Sequence, residues 1–354
     1  MRIFFIGDIV GKPGRRILSE NLPRIREALG IDFAIANAEN AAGGNGITKN
    51  MAEELFRAGI DAITLGDHIW DQRCFDGEID SLERVCRPAN LPSSNPGRTY
   101  LILEKNGEKL GIFSLLGQTL MKIKANCPFA AASEMVDRIK PVCDAIFLDF
   151  HAETTSEKVS MAWHLDGRAQ AVVGTHTHIP TNDARIFPKG LAFLSDAGMT
   201  GPWASCLGRK WEVILQRFID GRPRAFLMAD GDPRICACVI DIDAKARKAV
   251  SIEPFIYPPF PNTAQKLAEA LAPPHNRREL ILRQSPNSSA SARSNSHNVA
   301  IFLAWRGGLR GKGMLYMSAL PHKGRATGLR KIRRGANKIV RLNFAVLRQS
   351  SNFA

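Results

Sequence analysis

Along the first two thirds of the chain, short apolar runs alternate with longer stretches in which apolar residues recur every three or four positions. Alternation of this kind predicts an α/β architecture around a largely buried sheet. Five runs, Arg2–Ile6, Phe33–Ala36, Ala62–Leu65, Ala145–Phe150 and Gln170–Val173, are rich in β-branched or aromatic residues and too brief for a stable helix, so they read as strands. Between the first two, Arg15–Leu29 places Ile17, Leu18, Leu22, Ile25 and Leu29 on one helical face, with Pro23 expected to disturb it locally. Asn50 and Glu53 have the spacing of a capping box, which predicts a helix opening there and running to about Gly59. Further on, Ile235–Ile242 reads as a strand with Cys236 and Cys238 on one face, where a buried thiol behaves as a small apolar group.

The texture changes at Pro254, where a proline-rich stretch leads to a short Ala/Leu helix candidate at Ala264–Leu271 and then to the Ser/Asn-rich Gln284–Ser296. The boundaries read from this are a domain at 1–255, a Pro/Ser/Asn-rich linker at 256–296 and a basic tail at 297–354. Charge sharpens the division. The net charge is +14, yet residues 275–354 hold 16 Lys/Arg and one acid, Glu279, so the first 274 carry 32 basic against 33 acidic residues. Residues 280–354 contain no carboxylate, where average composition supplies roughly nine over that length. A basic arm that contacts RNA has this composition, and so does a non-native extension read out of frame; both readings stay open. Elsewhere 45% apolar and 23% charged residues exclude collagen-like, wholly disordered and disulfide-scaffold classes. Seven cysteines, an odd number without CxxC spacing, point to reduced thiols and a cytoplasmic protein. The apolar run Ile3–Ile6 is too short for a signal-peptide core, and nothing approaches the roughly 18 apolar residues of a membrane span, so no membrane partner is expected.

The chemistry lies just past the end of each strand. The first ends in Gly7-Asp8, the second leads to Glu39-Asn40, the third to Gly66-Asp67-His68, the fourth to His151, and the fifth to His176-Thr177-His178. Ligands of open α/β sheets bind beyond the carboxyl ends of strands, so these loops can converge on one rim. Three carboxylates, an amide and four imidazoles do not share a small volume as bare groups, because like charges repel and raise carboxylate pKa values. One or two divalent cations neutralise the acids and take the imidazoles as ligands, and a set without thiolate favours Mn, Fe, Zn or Co over a structural zinc cage. At strand spacing His176 and His178 face the same way roughly 7 Å apart, close enough for two neighbouring ions.

Seven blocks, in order, carry a resemblance: Gly7-Asp8-Ile9-Val10-Gly11 with Pro13-Gly14; Asn37 to Ala42; Asp61 to Asp71; Arg87 to Asn90; Asp149 to Lys158; Gly174 to His178; and Asp196 to Pro202. Over about residues 1 to 255 they resemble the YmdB-like family of the metallophosphoesterase superfamily, bacterial 2′,3′-cyclic-nucleotide phosphodiesterases. The resemblance implies an α/β fold of two face-packed mixed β-sheets flanked by helices. It implies two divalent metal ions, with Fe, Mn or Mg first and Zn or Co as alternatives, and a homo-oligomer acting on a small cyclic nucleotide. Carried over by motif, Asp8 and His178 hold one ion, Glu39 bridges, and Asn40, Asp67, His151 and His176 hold the other, with His68 as proton donor. The family's usual Gly-Asn-His stands here as Gly66-Asp67-His68, which exchanges an amide ligand for a carboxylate. The added charge should bind cations more tightly and lower their Lewis acidity.

Several positions keep two readings. The Gly43–Gly46 loop and Asn90 either border the substrate or, for the loop, form a flexible turn. Glu153 to Lys158 either orient the ligands or open a helix, and Trp70 either packs in the core or stacks on a base. Two alternatives to the phosphodiesterase also stand: a phosphomonoesterase, and a nucleic-acid-binding regulator that uses the metal domain as a scaffold.

Overall fold

Residues 1–260 are described by the computed structural model; the expected linker and basic tail beyond Phe260 lie outside the described residues. Among the described residues fourteen strands form two sheets. The first contains β1 (Arg2–Ile6), β2 (Asp8–Ile9), β3 (Phe33–Asn37), β4 (Ala62–Thr64), β5 (Val85–Cys86), β12 (Met199–Pro202), β13 (Pro233–Asp243) and β14 (Lys248–Tyr257). The second contains β6 (Leu101–Lys105), β7 (Glu108–Leu116), β8 (Ala145–His151), β9 (Ala171–Thr175), β10 (Arg185–Ile186) and β11 (Ala192–Leu194). In the first, β1, β3, β4 and β5 run parallel while β13 pairs antiparallel with β1. In the second, the order is β10-β11-β9-β8-β7-β6, parallel from β11 to β7.

Strand alternation builds the layers. Ile3, Phe5, Phe33 and Ile35 face Ala145, Phe147, Ala171 and Val173 of the second sheet in one continuous core, and the Phe5 and Phe147 ring centroids lie 4.8 Å apart across it. The alternate residues Phe4, Ile6, Ala34 and Ala36 turn outward onto Ile17, Leu18, Leu22 and Ile25 of α1 (Gly11–Leu29). On the far side, Ile146, Leu148, Phe150 and Val172 pack on Val136 of α4 (Pro128–Ile139) and on Met161 and Leu165 of α5 (Thr155–Leu165). Helix, sheet, sheet and helix therefore stack in four layers, the mixed α/β architecture expected. Strands buried on both faces explain why the chain reads as continuous apolar runs rather than alternating ones.

All five expected strands are present, and several boundaries move. Helix α1 opens at Gly11, four residues before Arg15, and passes through Pro23 without a break before Gly30 ends it at φ +62°. Helix α2 (Lys49–Arg57) is capped by Thr48, whose side chain accepts from Met51 N–H at 3.4 Å; Asn50, expected to cap, lies inside the helix. Thr48 has the extended backbone that an N-cap needs, and the helix stops at Arg57, short of Gly59. The change of texture at Pro254 falls inside β14, whose Tyr257 still pairs with Ile235. Among the described residues β14 pairs with β13 alone, so its Pro254 costs the sheet no second ladder there. Cys236 and Cys238 are buried free thiols as expected, and burial pushes Cys236 up to about 12 and Cys238 higher still. Among the described residues no helix is long and apolar enough to cross a membrane. The short helix α3 (Phe75–Glu78) lies between β4 and β5, and helix α6 (Trp211–Asp220), in the excursion between β12 and β13, buries none of its residues.

Candidate metal centre

Parallel pairing of β1, β3 and β4 in one sheet, and of β8 and β9 in the other, brings their carboxyl ends to one rim. Bonds cross between the sheets there: Asn37 Nδ2 donates to Asp149 Oδ2 at 2.9 Å, and His176 N–H to Asp8 Oδ2 at 3.1 Å. One ligand atom each from Glu39, Asp67, His151 and His176 fall within 4.8 Å of one another. His151 Nε2 lies 3.1 Å from Glu39 Oε1, 3.0 Å from Asp67 Oδ1 and 3.0 Å from His176 Nδ1. Asn40 Nδ2 is 3.1 Å from Glu39 Oε1 and 3.3 Å from His178 Nε2. A cavity of about 320 Å³ opens over the group, lined by Glu39, Asn40, His68, His176, His178 and Arg209. All eight residues expected at the rim are there.

Asp8, Glu39 and Asp67 are buried, and Asp8 Oδ1 has no hydrogen-bond partner among the described residues. Burial raises the Asp8 carboxyl, against the pull of His178 and His151. For Glu39 and Asp67 burial works the same way, but His151, joined at Asp67 by His176, outweighs it and both end below the usual carboxylate range. Burial alone would lower His151, and Glu39 and Asp67 drive it well above its ordinary value. Metal and proton compete for such ligands, so a cation there would take the place of the proton that the acids favour on His151. An orphaned buried carboxylate oxygen beside mixed imidazole and carboxylate donors, without thiolate, fits a divalent cation. Space is kept for it: a Cβ at Gly66 would lie 2.4 Å from Glu39 Oε2 and 2.5 Å from His151 Nε2.

The imidazoles are held from behind. His151 Nδ1 meets Thr175 Oγ1 at 2.9 Å, and that hydroxyl donates to Asp149 Oδ1 at 2.6 Å. Asp149, fully buried, also accepts from Thr64 Oγ1 at 2.6 Å, and burial pushes its carboxyl up to about 6 against these bonds and the pull of His151. His176 and His178 differ from expectation in one respect. Strand β9 stops at Thr175, and both histidines take left-handed backbone, φ +100° and +66°, so strand spacing is not what brings them together. A buried ion pair fixes this turn: Lys158 Nζ is 2.8 Å from Asp196 Oδ2, which also accepts from Thr177 N–H at 3.1 Å and Thr177 Oγ1 at 2.8 Å. Lys158 is therefore an orienting group as well as part of α5, and Glu153 reaches His176 Nε2 at 3.1 Å.

His68 N–H donates to Glu39 Oε2 at 2.9 Å, and its ring Nδ1 lies 2.7 Å from Asp71 Oδ2. The Gly43–Gly46 loop borders the cavity through Gly44 and is tied down, by Arg209 on one side and by Gln72 Nε2 on Asn45 O at 2.7 Å on the other. Asn90 does not line this cavity. It is buried, donates to Leu116 O at 2.7 Å and Asn126 O at 3.0 Å, and accepts from Leu116 N–H, so its amide braces loops instead. Trp70 packs on the helix-covered side of the first sheet, its ring centroid 6.5 Å from that of Phe75. Sequence reasoning missed Thr175, Asp149 as a support and Arg209. Alternation offered a signal for Asp149: it shares the inward face of β8 with Ala145, Phe147 and His151, where a carboxylate is out of place.

With this geometry in hand, comparison with known proteins is specific. The profile of the YmdB-like protein family matches residues 4–255. The 2′,3′-cyclic-nucleotide 2′-phosphodiesterase of Bacillus subtilis is 44% identical over 253 residues, 72% of this chain and 96% of that protein. A protein from Thermus thermophilus, described as hypothetical, superposes with a TM-score of 0.68 at 39% identity, covering 73% of this chain and 99% of its own. A structure described as a novel phosphatase from Mycoplasma pneumoniae gives a TM-score of 0.68 at 34% identity, over 72% of this chain and 92% of its own.

Proposed function

The chain belongs to the YmdB-like protein family, and from that premise we propose that it is a metallophosphoesterase that opens 2′,3′-cyclic nucleotides. The observation that carries the reading is the meeting of Glu39, Asp67, His151 and His176 within 4.8 Å of one another, beside the orphaned Asp8 oxygen and under a cavity of about 320 Å³ lined by Glu39, Asn40, His68, His176 and His178. Asp8 and His178 would hold one divalent ion, Glu39 would bridge, and Asn40, Asp67, His151 and His176 would hold the other. Two such ions supply a water of lowered pKa and neutralise the phosphate oxygens. In the reaction a water oxygen bonds to phosphorus, one ribose P–O bond breaks, and the departing oxygen takes up a proton.

His68 is the group we assign to that proton. It lines the cavity, and the contact of Nδ1 with Asp71 leaves Nε2 for donation. Its backbone N–H on Glu39 ties the donor to the central carboxylate. Glu39, Asp67 and the three histidines position the site; Arg209 and Gly44 form its wall. Seven free cysteines favour a reducing compartment, and we place the activity in the cytoplasm.

The test is hydrolysis of 2′,3′-cAMP, 3′,5′-cAMP and 4-nitrophenyl phosphate with Mn²⁺ or with EDTA, for the wild-type chain and His68→Ala. Metal-dependent opening of the 2′,3′ ring, abolished by EDTA and at least a hundredfold slower without His68, is expected. Faster turnover of the monoester would instead make the protein a phosphomonoesterase, and no turnover with two ions bound would make the centre a scaffold.

A further inference from the structure

The side chain that carries the donor assignment is the last link in a string of polar contacts that begins far away in sequence. Arg209 lies in the excursion between β12 and β13. Its Nη2 contacts Asn45 Oδ1 and donates to Gly44 O at 2.9 Å, while Nη1 donates to Gly43 O at 2.8 Å and contacts Met228 Sδ at 3.3 Å. Asn45 Nδ2 in turn donates to Asp71 Oδ2 at 3.1 Å, the same oxygen that meets His68 Nδ1 at 2.7 Å. We infer that Arg209 is a positioning residue for His68, acting through Asn45 and Asp71 to aim the imidazole at the oxygen that leaves the phosphate.

Three features favour this role over a direct grip on the substrate. Both terminal nitrogens of the guanidinium are occupied, each by two acceptors, so four of its five N–H donors are spent on the loop and on Met228. The loop they hold is a rigid frame rather than a free turn. Gly43, Gly44 and Gly46 sit at φ +63°, +85° and +79°, and a Cβ at Gly44 would come within 2.7 Å of Arg209 Nη2. Gln72 fixes Asn45 from the backbone side, so the Asn45 amide is left to bridge Arg209 and Asp71. A planar fork that bonds two carbonyls and an amide oxygen at once is a task an ammonium does not reproduce.

The inference rests on the proposed function, and leaving-group chemistry separates the two. A ribose oxygen needs a proton as its bond to phosphorus breaks, whereas a 4-nitrophenolate departs without one, so a misaimed donor penalises only the first. The experiment measures kcat and KM of the metal-loaded full chain on 2′,3′-cAMP and on bis(4-nitrophenyl) phosphate, for Arg209→Met, Asn45→Ala, the double variant and His68→Ala. The ratio of kcat on the cyclic nucleotide to kcat on the aryl diester should fall at least tenfold in each single variant, with KM for the cyclic nucleotide changed less than threefold. The double variant should fall no further than the larger single, because both break one string. Asn45 is on a half-buried loop, so its variant tests the idea even if Arg209→Met does not fold. Equal losses on both substrates, a change confined to KM, or multiplicative losses in the double variant would overturn the inference while leaving the proposed function standing. A wild-type chain that cleaves the aryl diester and no cyclic nucleotide would overturn the function, and the inference with it.

Discussion

The two sheets make unequal contributions to the rim. The first supplies oxygen, through Asp8, Glu39, Asn40 and Asp67, and the second supplies nitrogen, through His151, His176 and His178. The halves are also held differently. Glu39 is fixed by main-chain donors, accepting from His68 N–H at 2.9 Å, as is Asp8, which accepts from His176 N–H. The imidazoles depend on side chains behind them: Thr175 and Asp149 for His151, Lys158 and Asp196 for the turn that carries His176 and His178. Neither half is a site alone. The two donor sets meet across the packed core in which Phe5 lies on Phe147, so their spacing and the packing of the sheets are linked.

If the oxygen half is the electrostatic sink, its central residue should carry the largest effect. Glu39→Gln keeps the shape and removes the charge that we assign to both ions, so the purified protein should lose most bound metal and at least a thousandfold in kcat/KM; metal content by elemental analysis alongside turnover checks this. A Glu39→Gln protein with two ions and normal rates would show that the halves do not share that carboxylate. On the nitrogen side the larger expected effect is on stability. Lys158→Met strands the Asp196 carboxylate in a buried position and should cost about 3–5 kcal/mol in chemical denaturation, as breaking a buried pair does. Thr175→Val removes the link between His151 and Asp149, and should weaken metal binding roughly 10- to 100-fold while changing the denaturation midpoint little. A Thr175→Val protein with wild-type metal affinity would mean that the ring of His151 is held by packing alone.

The same asymmetry decided what could be read beforehand. Asp8, Glu39, Asp67, His68 and His151 each stand at or just past the end of a short apolar run, and parallel strands carry such positions to a common edge whatever the loops do. A largely buried sheet was legible for the same reason, from the apolar runs, whereas its division into two face-packed sheets came from the family resemblance. What supports the imidazoles was not. Asp149 stands out on the inward face of β8, but its partners Thr64 and Thr175 come from other strands that only the fold brings beside it, and the turn at His176 and His178 depends on a left-handed backbone that no local residue preference announces. Arg209 reaches a loop more than 160 positions earlier in the chain, and only the packed fold brings the two together.

The finest test of the comparison concerns Asp67, where the resemblance read from the sequence leads one to expect an amide. In the oxygen half it stands with Asp8 and Glu39 as a third buried acid, and its Oδ1 lies between His151 Nε2 at 3.0 Å and His176 Nδ1 at 3.4 Å. Asp67→Asn preserves an oxygen toward the site and removes one negative charge. Two effects of opposite sign result: less negative potential weakens cation binding, and a less neutralised cation polarises its water more strongly. Metal affinity should fall roughly tenfold, the scale on which changes around a metal's ligands register. Turnover at saturating metal should stay within a few-fold of wild type and rise if anything. Titration of Mn²⁺ against activity separates the two, since affinity reads from the midpoint and turnover from the plateau. A plateau that collapses while the midpoint holds would place Asp67 in the chemistry rather than in the charge balance, and the oxygen half would then be doing more than holding cations.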